Sequence, residues 1–96
     1  MIGLSPSEVE IVRATLTEAF GPQASVWLFG SRARGDCRGD VDLYVELPEP
    51  GDLLLRLATR RRLEELLHQK VDLIVRGRGE AKAAIDGVAR STGIAL

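Results

Sequence analysis

Apolar residues recur at helical spacing near the start of the chain. Those at the spacing of one helix face are Val9, Val12, Leu16, Ala19 and Phe20. Ser5 precedes them as an N-cap, Pro6 suits the first helical position, and Glu8 completes a capping box. Gly21 and the proline after it are typical of a helix end. The pattern therefore predicts an amphipathic helix between Ser5 and Gly21.

The next two apolar segments are typical of strands. Ser25 to Phe29 is short and rich in residues that favour β-structure. Asp40 to Leu47 alternates strictly between polar and apolar residues, which predicts a strand with one buried face. The loop between the two segments is too short for a helical crossover, so we expect the two strands to be antiparallel.

The second half of the chain predicts helix, strand and helix. Asp52 to His68 is leucine-rich and predicts a helix, and Val71 to Val75 predicts a third strand that a crossover can make parallel to the second. Ala81 to Ala89 gives a helical stripe that Gly93 ends, leaving a short apolar tail at residues 94–96. The order predicts an α/β (α+β) fold, a small mixed β-sheet with helices mainly on one face.

Composition restricts the class of protein. The 96 residues, 45% hydrophobic and 28% charged, predict one soluble globular domain over residues 1–96. No apolar run approaches the roughly 20 residues that span a bilayer, and no secretory signal is recognisable. Cys37 is the only cysteine, which excludes an internal disulfide and is compatible with a cytoplasmic location. A net charge of −1 argues against direct nucleic-acid binding.

Three aspartates are the candidates for chemistry. Asp40 and Asp42 lie two positions apart on a predicted strand, so their side chains should leave the same face. Asp72 has the same parity relative to the apolar residues of the third predicted strand. Clustered carboxylates repel one another unless a cation lies between them, and hard oxygen ligands suit Mg²⁺. The pattern predicts a catalytic metal site at Asp40, Asp42 and Asp72.

The loop before Asp40 has the residue types of a phosphate-binding segment. Gly30 ends a strand and allows the backbone to approach a ligand closely. Ser31 supplies a hydroxyl and a backbone N–H, and Arg32 and Arg34 can neutralise phosphate charge. These four residues are the candidate nucleotide-binding set, although a charged, solvated loop would also account for the two arginines.

Gly30 to Gly35, followed by Asp40 to Leu43, resembles the signature of the DNA polymerase beta-like nucleotidyltransferase superfamily. It is most similar to the minimal, MNT-type members that are often paired with HEPN toxins. The resemblance implies that Gly30 and Ser31 contact the NTP phosphates. It also implies that Asp40, Asp42 and a third carboxylate, Asp72, bind metal. Eight residues lie between Ser31 and Asp40, fewer than is usual in the family.

The resemblance implies an enzyme that uses Mg²⁺, with two ions expected, to move an NMP from ATP or another NTP to a hydroxyl. AMP is the expected group, a tyrosine of a HEPN toxin is the expected acceptor, and an antitoxin role follows. The alternative is a weakly active or inactive binding module that neutralises a partner by direct contact. A small domain leaves much apolar surface exposed, so a protein partner or a homo-oligomer is expected in either case.

Two polar residues share the predicted aspartate face of the second strand. They are Tyr44 and Glu46, which could line a nucleotide pocket, although packing at the edge of the sheet is the favoured interpretation. His68 is expected to end its helix.

Overall fold

A computed structural model describes residues 2–49, 51–81 and 83–96 of the chain. Three helices and a four-stranded sheet account for the regular structure there. The helices are α1 (Pro6–Phe20), α2 (Leu53–Leu67) and α3 (Ala84–Thr92). The strands are β1 (Ser25–Phe29), β2 (Val41–Glu46), β3 (Val71–Arg76) and β4 (Ile94–Ala95). A short 3-10 turn, Gly30–Arg32, follows β1 directly.

The sheet is mixed, with strand order β3-β2-β1-β4. β1 and β2 are antiparallel, whereas β2 and β3 are parallel and are connected through α2, so the predicted fold is confirmed. The apolar tail, for which no element was predicted, contributes the fourth strand. Ile94 and Ala95 pair antiparallel with Leu28 and Trp27. A strand of two residues is too short to show a recognisable alternation.

Local sequence explains both ends of α1. The Ser5 hydroxyl accepts a hydrogen bond from the Glu8 N–H at 3.1 Å, and the Glu8 carboxylate accepts one from the Ser5 N–H at 2.9 Å. The second bond is the main reason that the pKa of Glu8 is lowered. At the other end, the Gly21 N–H donates to the Thr17 carbonyl at 2.8 Å. The predicted capping box is confirmed.

The bounds of the other two helices differ slightly from prediction. Asp52 caps α2 by accepting from the Leu54 N–H at 2.9 Å, and His68 ends the helix in a left-handed conformation with φ of 54°. α3 begins at Ala84, so Ala81 lies outside it. The Ala83 side chain offers no hydrogen bond to cap α3, which is consistent with this later start.

The sheet separates two apolar layers. α1 and α2 cover the face on which the main core lies, which includes Val12, Leu16, Leu28, Val41, Leu43, Val45 and Leu63. On the other face, α3 covers a smaller cluster of Phe29, Tyr44 and Ala89. Two of the three helices therefore share one face, and the part of the opposite face that carries the aspartates belongs to neither cluster. Over the described ranges, no helix combines the length and the apolar character that crossing a membrane requires.

Candidate active site

Two of the predicted carboxylates lie side by side on neighbouring strands. Asp42 in β2 and Asp72 in β3 are direct partners in the parallel register. Their side chains leave the face opposite to Val41 and Leu43, which are fully buried in the main core. Asp40 lies in the segment that leads into β2 and is exposed. The face predicted from strand parity is therefore the face on which Asp42 and Asp72 lie.

Electrostatics show that the carboxylates influence one another. Partial burial raises the pKa of Asp42, and the negative charges of Asp72 and Asp40 raise it further. The folded chain thus disfavours the ionised form of Asp42 in the absence of a cation. A bound cation would relieve this repulsion.

Lys70 is a charged residue of this region that was not predicted from the sequence. Its ammonium Nζ lies 4.0 Å from Asp40 Oδ2 and is well exposed. Its carbonyl accepts a hydrogen bond from the Val41 N–H at 2.9 Å, which fixes its backbone beside the start of β2. Lys70 precedes β3 as Asp40 precedes β2, so the parallel register brings the two residues together.

The chemistry of the donor set fits Mg²⁺, but the arrangement is not a finished cage. Carboxylate oxygens are the protein ligands that Mg²⁺ prefers, and it usually takes its remaining ligands from water and substrate phosphates. In the part of the chain that the structure describes, no group of three or more His, Cys, Asp or Glu side chains is placed to hold a metal ion. The residues therefore supply suitable ligands without forming a complete site on their own.

Gly30 is the closest link between the predicted phosphate loop and the carboxylates. Its φ of 73° lies in the left-handed region, which a side chain disfavours. A Cβ at this position would also collide with Oδ2 of Asp42. Both the backbone conformation and the space therefore require glycine here, and the turn begins in direct contact with the Asp42 carboxylate.

Ser31 lies in the 3-10 turn, and the loop after it folds back on it. Its carbonyl accepts hydrogen bonds from the N–H groups of Arg34 and Asp36, both at 3.1 Å. Its hydroxyl donates to the Arg38 carbonyl across a long distance of 3.4 Å. Such a weak bond leaves the hydroxyl easily diverted to another acceptor.

Arg32 has a structural role that corrects its assignment as a phosphate ligand. The residue is only 5% exposed. Its guanidinium donates to the carbonyls of Gly3 at 2.9 Å, Gly39 at 3.1 Å and Arg38 at 3.3 Å, and to Oε1 of Gln69. These bonds engage the guanidinium inside the fold. Arg34 is exposed in the same loop and stays a predicted phosphate contact.

Tyr44 and Glu46 do not lie at the edge of the sheet. β2 is an inner strand, and Tyr44 is fully buried beneath α3. Its hydroxyl donates to Glu46 Oε2 at 2.7 Å, and its ring packs against Trp27 with centroids 5.6 Å apart. Burial is the main reason that the pKa of Tyr44 is raised. The two side chains therefore form packed structure beside the carboxylates. Strand parity alone did not reveal the apolar neighbours of Tyr44.

A family model described as a nucleotidyltransferase domain matches residues 9–92, a range that contains the strand pair, the turn and all three aspartates. The chain belongs to the nucleotidyltransferase domain family. It is a nucleotidyltransferase by this match, and the family resemblance inferred from the glycine-serine turn and the aspartates is confirmed. A search of curated protein sequences gave no significant match.

Solved structures agree with this assignment. A minimal nucleotidyltransferase is 30% identical, with a TM-score of 0.73 over 94% of this chain and 90% of that one. The toxin-antitoxin MntA-HpeT mutant Y104A is 21% identical, with a TM-score of 0.74 over 97% and 72%, a likeness of fold alone. A complex of a tri-AMPylated HEPN toxin with an MNT antitoxin from Shewanella oneidensis is 25% identical, with a TM-score of 0.58 over 77% and 56%.

Proposed function

We propose that this nucleotidyltransferase moves AMP from Mg²⁺-bound ATP to a hydroxyl of a protein partner. The partner would be a HEPN-type toxin, the acceptor a tyrosine, and the result a silenced toxin. The observation that carries the proposal is the contact of Gly30 with Asp42, whose strand neighbour is Asp72. A similar complex that contains an AMPylated HEPN toxin supports the choice of AMP and partner.

Each part of this region has a separate task in the proposal. The backbone of Gly30 and the backbone and hydroxyl of Ser31 position the triphosphate, and exposed Arg34 and Lys70 offset its charge. Asp40, Asp42 and Asp72 would hold Mg²⁺, with two ions expected. When bound, Mg²⁺ would neutralise charge on the phosphate oxygens as the reaction proceeds.

The chemical step is a direct displacement that these residues position. The acceptor oxygen attacks the α-phosphorus of ATP and forms a new P–O bond. The bond from the α-phosphorus to the bridging oxygen breaks, and pyrophosphate leaves with the electron pair. Asp72 accepts the proton of the acceptor hydroxyl, since its exposed carboxylate can meet a protein partner at the surface. The chain supplies position and charge and forms no covalent intermediate.

A second function is favoured by two observations. The described carboxylates do not form a complete metal cage, and the loop between Ser31 and Asp40 is short. These features fit a binding module that neutralises a partner by covering its surface, with little or no transfer of nucleotide.

One experiment separates the two functions. The chain is incubated with α-labelled ATP, Mg²⁺ and a HEPN-type toxin, and both the label on each protein and the activity of the toxin are measured. We expect label on a partner tyrosine and loss of labelling in Asp42→Asn. Labelling should be retained in Asp36→Asn, because Asp36 is an exposed aspartate in the loop before Asp40. Neutralisation of the toxin without any label would reject the enzyme and support the binding module.

A further inference from the structure

The outer face of α2 exposes a cluster of leucines. Leu53, Leu54 and Leu57 are 66%, 75% and 53% exposed. Leu63 and Leu67, later in the same helix, are buried in the main core. Large apolar side chains that are grouped and exposed on a small soluble protein commonly mark a contact surface. The exposed leucines on the outer face of α2 are therefore candidates for contact with a partner.

Charge is distributed unevenly along this face. Asp52 lies at the start of α2 and Glu49 just before it, and both are exposed. Arg60 and Arg61 lie two turns later, are exposed, and at helical spacing share the face of Leu53 and Leu57. Arg60 lies 3.9 Å from Glu64 of its own helix, so Asp52 before the leucines and Arg61 after them are the opposite charges that a second copy could meet.

Such a face is complementary to itself in an antiparallel arrangement. If two copies of α2 cross near Leu57, the leucines of both copies meet at the centre. Arg61 of each helix then lies beside Asp52 of the other. A two-fold axis requires this kind of self-complementary patch.

We propose that α2 is the interface of a homodimer, with Leu53, Leu54 and Leu57 at its centre and Arg61 of each copy near Asp52 of the other. α2 lies on the sheet face opposite to Asp42 and Asp72. Dimerisation through α2 thus leaves both carboxylate faces open to ATP and to a toxin. The inference does not depend on the proposed function.

The interface is small, so the dimer is expected to be weak. Standard interfaces bury about 800 Å² per partner, and one helix face presents less than that. We expect dissociation in the micromolar range, and therefore a mass that depends on concentration.

Sedimentation velocity over a range of protein concentrations tests the interface. Leu57→Glu places a charge at the two-fold axis and should weaken the dimer at least tenfold. Val88→Glu is the matched control, because Val88 is 50% exposed on α3, away from the proposed surface. Asp52→Asn retains a capping side chain but removes the charge, and should weaken the dimer about two- to tenfold.

Cysteine cross-linking gives a second measurement that does not depend on affinity. In a Cys37→Ser background, Leu57→Cys should form an intermolecular disulfide under mild oxidation, whereas Val88→Cys should not. A monomer at every concentration would overturn the proposal and leave the α2 face for a different protein. A dimer that survives Leu57→Glu but is lost in Val88→Glu would also overturn it.

Discussion

At the scale of single residues, the site depends on the absence of a side chain at Gly30 as much as on the side chains that surround it. Gly30 has no side chain, and the space that a Cβ would need is filled by the Asp42 carboxylate. Arg32 has a side chain of the type expected at a phosphate, yet its guanidinium is engaged in hydrogen bonds within the fold. Residue type alone therefore does not assign a role in this loop.

Gly30→Ala should damage function more than stability. The new Cβ would displace the Asp42 carboxylate, so we expect loss of AMP transfer, whereas a strain of about 1 kcal/mol would lower the melting temperature by only about 4–8 °C. Gly79→Ala is the matched control, because Gly79 has a φ of 83° and its Cβ would meet nothing within 4 Å. Both variants have a similar backbone penalty. Equal transfer by the two would contradict a role for the contact between Gly30 and Asp42.

Lys70→Met should weaken the use of ATP while leaving the fold intact. The ammonium is exposed beside Asp40, where it can offset triphosphate charge. An exposed ionic contact is worth up to about 1 kcal/mol, so we expect KM for Mg²⁺–ATP to rise about two- to fivefold. Lys70→Arg should restore most of the affinity, since the charge is retained. An unchanged KM in Lys70→Met would remove Lys70 from the site.

At the scale of elements, the loop from Gly30 to Asp40 is held in place by the buried side chain of Arg32. Arg32 connects it to Gly3, before α1, and to Gln69, between α2 and β3. A loop tied to two other parts of the fold is not free to adapt to its ligand. These bonds are therefore consistent with a loop of defined shape.

Arg32→Lys should destabilise the protein although it conserves charge. One ammonium cannot reach the four acceptors that the planar guanidinium serves, and hydrogen bonds to charged groups are each worth roughly 1.5–3 kcal/mol. We expect the free energy of unfolding to fall by about 2 kcal/mol, measured by urea titration. Arg34→Lys, in the exposed part of the same loop, should change it by less than about 0.5 kcal/mol. Comparable losses in both variants would reject the assigned role of Arg32.

The sequence predicted the features that depend on short-range pattern. Strand parity placed Asp42 and Asp72 on one face, and the capping box placed the start of α1. Features that depend on long-range contacts escaped prediction. The position of Lys70 beside Asp40 follows from the register of two strands separated by α2, and the burial of Arg32 follows from contacts with distant carbonyls.

At the scale of the whole molecule, the two faces of the sheet contribute differently to the free energy of folding. The side covered by α1 and α2 holds most of the buried apolar residues. The other side carries the aspartates, where partial burial of Asp42 and the charges of Asp72 and Asp40 raise the pKa of Asp42. A fold that keeps such carboxylates together gives up stability where a ligand is to bind, and the ligand restores it.

This difference predicts that Asp42→Asn melts above wild type without Mg²⁺–ATP and below wild type with it. Because the pKa of Asp42 is raised, the ionised carboxylate costs folding stability at neutral pH, and that cost would vanish as pH falls through the raised pKa. Asparagine is neutral and similar in shape, so with EDTA the variant should melt above wild type. With Mg²⁺ and ATP only wild type should gain stability, because a ligand that binds the folded state alone raises its melting temperature.

Differential scanning fluorimetry of both proteins, with EDTA and with saturating Mg²⁺–ATP, measures this change of order. Asp36→Asn serves as the control, because Asp36 is exposed and should respond to the ligand as wild type does. Wild type melting above Asp42→Asn in EDTA would contradict a stability cost of the ionised Asp42 carboxylate. Equal ligand shifts in the two proteins would instead show that Mg²⁺–ATP binds without the Asp42 carboxylate. Each half of the result thus tests one cause, the cost of the ionised Asp42 carboxylate in the folded chain and the ligand that offsets it.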